Sequence, residues 1–170
     1  MKGKVWKYGD NVNTDVIFPG KYTYSPLTPE EMAQHALEDL DPEFARQVRP
    51  GDIIVAGRNF GCGSSREQAA ICLKAAGVQA IIARSFARIF FRNAINQGLP
   101  VFVQEEVVAG LNQGDEVDLE LEKGELVAGG KRWLLPPLPL MVLKIIKAGG
   151  LIPYTRQKLA DSREDEKKRT

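Results

Sequence analysis

The residues best suited to chemistry lie in one segment, Gly57-Arg-Asn-Phe-Gly-Cys-Gly-Ser-Ser-Arg-Glu67. It follows the apolar run 53–56, so we predict a strand, a glycine-rich turn and a helix in that order. The three glycines allow the backbone to approach a ligand closely. Ser64 and Glu67 match a capping box, which predicts that a helix begins at this serine. Free backbone N–H groups, the positive end of the helix dipole and the Arg66 guanidinium would then favour binding of a carboxylate or phosphate.

The segment matches none of the common catalytic loops. No lysine follows its glycines, as a phosphate-binding loop requires, and Arg66 stands where a dinucleotide fingerprint has its third glycine. Its spacing also differs from that of a nucleophile elbow. A glycine turn with a helix cap is a common structural device. The residues by themselves therefore leave a ligand site and a purely structural turn both open.

Composition and charge argue against several classes of function. The chain has 170 residues and a formal net charge of +1, which disfavours a nucleic-acid or membrane-surface partner. It has no apolar run long enough for a membrane helix and no secretory segment at its start, so we expect a cytoplasmic protein. Cys62 and Cys72 fit a reducing compartment, and two thiols are too few to ligate an iron–sulfur cluster. The lone His35, inside a predicted helix, offers no metal cluster either.

The elements that must position the glycine-rich segment alternate between strand and helix. The pattern predicts strands over 4–8, 52–56, 80–83 and 100–103 and helices over 30–40, 65–76 and 86–96. The short connections favour parallel pairing with right-handed crossovers. Three short strands (116–121, 125–128 and 132–134) and a helix over 140–148 follow. We expect a single domain over 1–160 and a charged, frayed tail over 161–170.

Four blocks along the chain carry a resemblance to a known family. These are the glycine-rich segment and, in chain order around it, Gly9–Gly20, Ser85–Pro100 and Gly149–Pro153. Together they resemble the small subunit of 3-isopropylmalate dehydratase and homoaconitase, which is similar to the swivelling domain of aconitase. The resemblance implies an α/β fold with β/β/α layers and a mixed, barrel-like sheet.

The same resemblance implies a two-subunit hydro-lyase of the leucine pathway. Its substrate would be a small hydroxy dicarboxylic acid, most simply 2- and 3-isopropylmalate. A large subunit would carry a four-iron–four-sulfur cluster, and the two subunits would form a heterodimer or heterotetramer. This chain would contribute one wall of the active site and bind no cofactor or metal itself. No nucleic-acid or membrane partner is expected.

The resemblance also implies roles for individual residues. Ser64 is expected to be the catalytic base, acting as an alkoxide stabilised by the glycine turn, the helix start and Arg66. Asp15 is expected to orient or pair with these two, which makes the three the catalytic residues. Without the resemblance, Ser64 would be interpreted mainly as a helix cap, whereas Asp15 would fit a turn former and a site residue equally well. The expected substrate-binding residues are Thr14, Tyr22, Thr23, Tyr24, Gly63, Ser65 and Arg66.

The substrate-selecting loop of the family corresponds to Lys21-Tyr-Thr-Tyr-Ser25. Homoaconitase-like members have an arginine at the position of Tyr24, where it pairs the extra carboxylate of a tricarboxylic substrate. Without that cation a third carboxylate would be desolvated and unpaired, which is costly. We therefore expect an uncharged substituent, as in isopropylmalate, although Lys21 is near enough in the sequence to supply a cation.

Other interpretations stay open at this point. A related hydro-lyase subunit would act on citraconate, 2,3-dimethylmalate or homoaconitate. A stand-alone module would bind a small carboxylate without any partner. A thiol enzyme would use Cys62, which flanks the predicted helix start but has no histidine nearby in the motif. Arg84, Arg88 and Arg92 recur every four residues and predict a solvated helix face, with docking to the large subunit or support of the active site as the alternative.

Overall fold

Seven strands and eight α-helices are present in the computed structural model, which describes residues 2–168 and the side chains of residues 2–162. The strands are β1 (Lys2–Lys7), β2 (Ile53–Ala56), β3 (Ala80–Ala83), β4 (Val101–Val103), β5 (Glu116–Glu120), β6 (Glu125–Ala128) and β7 (Lys131–Leu134). The helices are α1 (Thr14–Ile17), α2 (Pro29–Ala33), α3 (Phe44–Gln47), α4 (Gln68–Ala75), α5 (Arg88–Asn96), α6 (Glu105–Gly110), α7 (Leu140–Lys147) and α8 (Leu151–Lys168). A 3-10 turn, Gly20–Tyr22, follows α1.

The strands form one mixed sheet in the order β4-β3-β2-β1-β5-β6-β7. Pairing is parallel from β4 to β1 and antiparallel from β1 to β7. Strand β1 joins the two halves with different residues, because Val5–Lys7 pair with β2 whereas Lys2–Lys4 pair with β5. The sheet curls into half a barrel, so the predicted mixed, barrel-like sheet is confirmed.

Alternate residues of the parallel strands enter two separate apolar cores, because successive side chains of a strand face opposite sides of the sheet. One core lies beneath α1, α3, α4 and α5, and the other lies between the sheet and α6. Residues Ile54, Ala56, Ile81 and Ala83 belong to the first core, and Ile53, Val55, Ala80 and Ile82 belong to the second. Strands β2 and β3 are therefore fully buried, as their continuous apolar sequences predict.

The helix predicted over 30–40 is shorter in the structure. Thr28 and Glu31 form a capping box at the start of α2, as the sequence indicates. The α-helix stops at Ala33, and the chain continues in turns. Leu37 has a φ of +58°, and its N–H donates to Ile17 O of α1 at 2.8 Å. This bond to a neighbouring element ends the helical pattern, although the side chains themselves favour a helix.

Helices α3, α6 and α8 were not indicated by the sequence pattern. The backbone of α8 is helical to Lys168. The frayed tail expected over 161–170 stays a prediction, and its last two residues lie outside the described part of the chain. Across residues 2–168, no helix has both the length and the apolarity to cross a bilayer.

Replacing Gly61 with alanine should destabilise this fold. The backbone at Gly61 has a φ of +77°, and a Cβ there would lie 2.1 Å from Phe90 Cγ. The strained backbone and the overpacking should together lower the free energy of unfolding by about 2–4 kcal/mol. Gly114→Ala is the matched control, since Gly114 has a φ of +82° but no atom within 4 Å of a Cβ. Urea denaturation compares the two variants, and equal losses would contradict the packing argument.

Candidate active site

The glycine-rich segment lies at the carboxyl ends of the parallel strands, where the connections after β1, β2 and β3 meet. Parallel pairing extends beyond the strands, through isolated bridges between Asn13 and Cys62 and between Phe60 and Phe86. Ligands bind at this edge of open α/β sheets, because the connections leave a crevice there. A ligand site is therefore expected at this edge of the sheet.

Backbone hydrogen bonds fix the register of the glycine-rich segment. Gly61 N donates to Val12 O, and Thr14 N donates to Cys62 O, both at 2.7 Å. On its other side, the segment is bonded to the connection after β3. Residues from three connections are consequently held at fixed positions relative to one another.

Thr14 ties the first connection to the serines. Its side chain is buried, and its Oγ1 donates to Ser64 O at 3.0 Å. Gly63, just before, has a φ of +97°, and a Cβ there would come within 3.2 Å of Thr14 Oγ1. A glycine at this position thus allows the turn to lie directly against the threonine hydroxyl.

Asp15 and Arg66 form an ion pair at the edge of the turn. Asn13 caps α1 by accepting hydrogen bonds from Asp15 N (2.8 Å) and Val16 N (3.0 Å), which fixes the aspartate in the first turn. Arg66 Nη1 lies 2.5 Å from Asp15 Oδ1. The arginine side chain is only 20% exposed, whereas the aspartate is 51% exposed. Asp15 therefore pairs with Arg66, and among the described residues no hydrogen bond joins Asp15 to Ser64.

Ser64 lies exposed in the turn, between the exposed residues Gly63 and Ser65. The predicted capping box is wrong, because α4 begins only at Gln68, its cap residue is Glu67, and no side chain caps it. Pairing with the connection after β1 keeps the serines out of the helix. Within the described chain, the backbone N–H groups of residues 63–65 have no hydrogen-bond partner. Three consecutive free N–H groups beside a hydroxyl suit an anion.

The predicted substrate loop, residues 21–25, begins next to this cluster, since a Cβ on Gly20 would lie 3.2 Å from Arg66 Nη1. Tyr22 is half-buried and packs against the protein. Thr23 Oγ1 is buried without a hydrogen-bond partner among the described residues. Tyr24 is 98% exposed. Of the nine predicted site residues, six lie in the two motifs that the structure brings together, and the other three lie in the loop. The six are Thr14, Asp15, Gly63, Ser64, Ser65 and Arg66.

Two residues that sequence reasoning gave no role in the site, His35 and Glu38, contact this loop. The Tyr22 and His35 rings stack with centroids 3.9 Å apart and planes 27° apart. Lys21 Nζ lies 2.6 Å from Glu38 Oε1, and His35 Nδ1 lies 2.7 Å from Glu38 Oε2. The i,i+3 spacing of His35 and Glu38 is the only feature of the sequence that could have predicted their contact with each other.

The ionisation of the Lys21–Glu38 pair reflects the contact. Partial burial raises the pKa of Glu38, but hydrogen bonds and charges from Lys21 and His35 outweigh burial and hold this pKa below its ordinary value of 4.5. The hydrogen bond to Glu38 is the main cause that raises the pKa of Lys21 above 10.5. Both groups are therefore charged at neutral pH.

Neither cysteine offers a metal centre in this chain. Both thiols are free: Cys62 is half-buried in the turn, and Cys72 is buried in α4, where burial raises the pKa of its thiol. Residues 2–162 contain no group of three His, Cys, Asp or Glu side chains that could hold a metal ion.

The predicted arginine stripe is wrong in part. Arg84 precedes α5, and its Nε pairs with Glu105 Oε1 at 2.8 Å. Arg88 and Arg92 lie on α5 and are exposed, as predicted.

Comparisons with known proteins agree with this geometry. Residues 10–106 match the aconitase C-terminal domain family. The 3-isopropylmalate dehydratase small subunit of Thermodesulfovibrio yellowstonii is 50% identical over 162 residues, covering 94% of this chain and 96% of that protein. The isopropylmalate/citramalate isomerase small subunit of Methanocaldococcus jannaschii is 49% identical over 164 residues, covering 95% and 97%. A crystal structure of 3-isopropylmalate dehydratase from M. jannaschii superimposes with a TM-score of 0.86 at 43% identity, covering 96% of this chain and 98% of that one.

Replacing Thr14 with valine should loosen the serine turn. The substitution removes the hydroxyl that donates to Ser64 O, so we expect a loss of about 1 kcal/mol of stability and faster amide exchange over residues 63–66. Thr155→Val is the matched control, because Thr155 Oγ1 makes a comparable bond to Leu151 O on the exposed helix α8. Hydrogen–deuterium exchange with mass spectrometry measures the effect, and an unchanged turn in Thr14→Val would rule out this tether.

Proposed function

We propose a function from one premise: this chain belongs to the aconitase C-terminal domain family and, within it, to the small subunits of 3-isopropylmalate dehydratase. It is the small subunit of a hydro-lyase that interconverts 2- and 3-isopropylmalate, a step of leucine biosynthesis. Water is removed from the hydroxy dicarboxylic acid and added back so that the hydroxyl is on the neighbouring carbon. The observation that carries this proposal is the full-length similarity to such subunits, together with an exposed Ser64 beside the Arg66–Asp15 pair.

Ser64 is the proposed base. Dehydration requires a proton to leave carbon, and the alkoxide of Ser64 would take it while the C–H electron pair forms the double bond. The hydroxyl of the neighbouring carbon would leave with the C–O electron pair as hydroxide, and one proton from solvent would convert it into water. Serine is a weak acid, so its anion needs strong local stabilisation. The free N–H groups of residues 63–65 and the nearby Arg66 guanidinium are the groups that can supply it. In the hydration direction, the Ser64 hydroxyl returns the proton to carbon.

Arg66 and Ser65 are the proposed ligands of a substrate carboxylate. A guanidinium binds a carboxylate through two parallel hydrogen bonds if its plane is held in the right orientation. Asp15 holds one nitrogen of Arg66, and Thr14 holds the backbone of the turn that carries both serines. We therefore assign catalytic roles to Ser64 and Arg66 and a positioning role to Asp15.

A large subunit is the proposed partner, and we propose that it carries the four-iron–four-sulfur cluster. A cluster of this kind takes three or four thiolates, whereas this chain has only Cys62 and Cys72, one of them buried in the core. The residues of this chain therefore do not fit the cluster, and it must be held elsewhere in the assembled enzyme. A heterodimer and a heterotetramer both satisfy this arrangement. Two free thiols suit a reducing compartment, so we propose the cytoplasm.

An uncharged substituent on the substrate is favoured by the loop. Position 24 carries tyrosine, so the arginine that would pair a third carboxylate is missing. Lys21 was the remaining candidate, but its ammonium is held by Glu38 at 2.6 Å. A third carboxylate would then lack a cation, whereas the isopropyl group needs none. Tyr22 and Thr23 are the proposed walls around that group.

Citramalate is a second candidate substrate. The observation that favours it is the name of the M. jannaschii relative, an isopropylmalate/citramalate isomerase small subunit, at 49% identity. Citramalate also lacks a third carboxylate, so the same loop argument admits it. Citraconate, its dehydrated form, therefore belongs in any substrate test beside dimethylmalate and homoaconitate.

Anaerobic co-expression with the cognate large subunit tests the function. The complex should turn over isopropylmalate, and Ser64→Ala should lower kcat by a hundredfold or more, on the order expected for loss of a general base. Assembly, measured by size-exclusion chromatography, should be unchanged. Ser162→Ala, a remote serine on α8, is the matched control. Full activity of the isolated chain would contradict the two-subunit proposal, and retained activity of Ser64→Ala would remove this serine from the role of base.

Tyr24→Arg should move selectivity toward a tricarboxylate. The new guanidinium would pair a third carboxylate, so we expect the ratio of kcat/KM for homoaconitate over isopropylmalate to rise about tenfold or more. Tyr154→Arg, at a half-buried tyrosine of α8, is the matched control. An unchanged ratio would mean that position 24 does not face the substrate.

A further inference from the structure

We propose that His35 and Glu38 are positioning residues that set substrate selectivity, because Glu38 holds Lys21 away from the substrate and His35 fixes the orientation of the Tyr22 ring. This inference rests on the proposed function, because it takes residues 21–25 to face the substrate. Neither residue lies in the motifs that carry the site, and both act through the loop. We call the two residues the loop clamp.

The first half of the loop clamp is electrostatic. The Glu38 side chain is 22% exposed and the Lys21 side chain is 59% exposed. The glutamate is therefore the more buried partner, and the lysine reaches toward it. Lys21 follows Gly20, whose backbone lies against the Arg66 guanidinium. An unpaired ammonium at this point would stand beside the proposed carboxylate-binding arginine and would attract a further carboxylate. Glu38 neutralises this cation and retains it, so the loop presents no net positive charge.

The second half of the loop clamp is the aromatic stack. The ring centroid of Tyr22 lies 3.9 Å from that of His35 and 6.1 Å from that of Phe18. The Tyr22 ring is therefore in contact with two rings of the folded protein. A carboxylate only accepts hydrogen bonds, so the His35 nitrogen that faces Glu38, Nδ1, carries a proton. This bond fixes the orientation of the imidazole ring. His35 and Glu38 therefore support each other, and loss of either one releases part of the loop.

The test compares four variants of the full chain assembled with its large subunit. Glu38→Gln removes the ion pair of Lys21 and, among the described residues, leaves its ammonium only the Tyr22 ring, 4.9 Å from the ring centroid. We expect the ratio of kcat/KM for homoaconitate over isopropylmalate to rise about tenfold. Adding Lys21→Met to Glu38→Gln should abolish this rise, because the cation is its cause. His35→Ala should raise KM for isopropylmalate more than it lowers kcat, and His35→Phe, which keeps a stacking ring, should restore KM.

Hydrogen–deuterium exchange over residues 20–25 provides a second readout that is independent of catalysis. Exchange should be faster in Glu38→Gln and His35→Ala than in the wild-type chain and should return toward the wild-type rate in His35→Phe. Glu43→Gln is the matched control, because Glu43 forms an ion pair with Arg46 on α3 and does not contact the loop. Both readouts should be unchanged in this control.

The outcomes separate the loop clamp from the proposed function. Wild-type complex that fails to turn over isopropylmalate overturns the proposed function, while the exchange data still decide whether His35 and Glu38 hold the loop. Faster exchange together with an unchanged substrate ratio in Glu38→Gln overturns the selectivity role. Unchanged exchange in both Glu38→Gln and His35→Ala overturns the loop clamp itself.

Discussion

The site depends on the close approach of two backbone segments at the carboxyl ends of β1 and β2. Gly57 N donates to Gly9 O at 3.1 Å. A Cβ on Gly57 would lie 1.9 Å from Asp10 Oδ1 and 2.9 Å from the backbone atoms Asp10 N and Gly9 C, so no other residue fits without moving the chain. Arg58 N, next in the chain, donates to the same Asp10 oxygen at 2.6 Å. The parallel register of the two strands is thereby carried beyond the sheet. Every later contact between the two connections follows from this register.

The same register changes the source of the positive potential at Ser64. A serine at the start of a helix would use the helix dipole and its first N–H groups. Here α4 begins at Gln68, and the free N–H groups belong to the turn itself. Arg66 is likewise positioned by Asp15, which Asn13 fixes in the first turn of α1. The proposed anion site is therefore built by two connections that hydrogen bonds hold together, rather than by one helix end.

The sequence predicted those parts of the fold that depend on local pattern. The buried strands were found because continuous apolar runs bounded by turns are typical of parallel strands. The residues of the proposed anion site could be named because their types and order are specific, and their roles stay a prediction. The predictions of a capping box at Ser64 and of a helix over 30–40 were wrong for one reason. In each case backbone hydrogen bonds to a distant element, such as Leu37 N to Ile17 O, outweighed the local preference for a helix. Such bonds exist only once the chain has folded.

The charge of Lys21 could not be interpreted from the sequence for the same reason, because its partner is distant along the chain. The sequence identifies the missing arginine at position 24 but leaves Lys21 as a cation that would undo the argument. Only the fold brings Glu38 to this lysine, because the turns after α2 carry it back over the loop. The effect of a charged loop residue on substrate selectivity can therefore be inferred only after its ion-pair partners in the folded chain are known. In this protein the loop's charge is cancelled from outside the loop, and for this reason we propose a neutral substituent as the better match for the proposed carboxylate site.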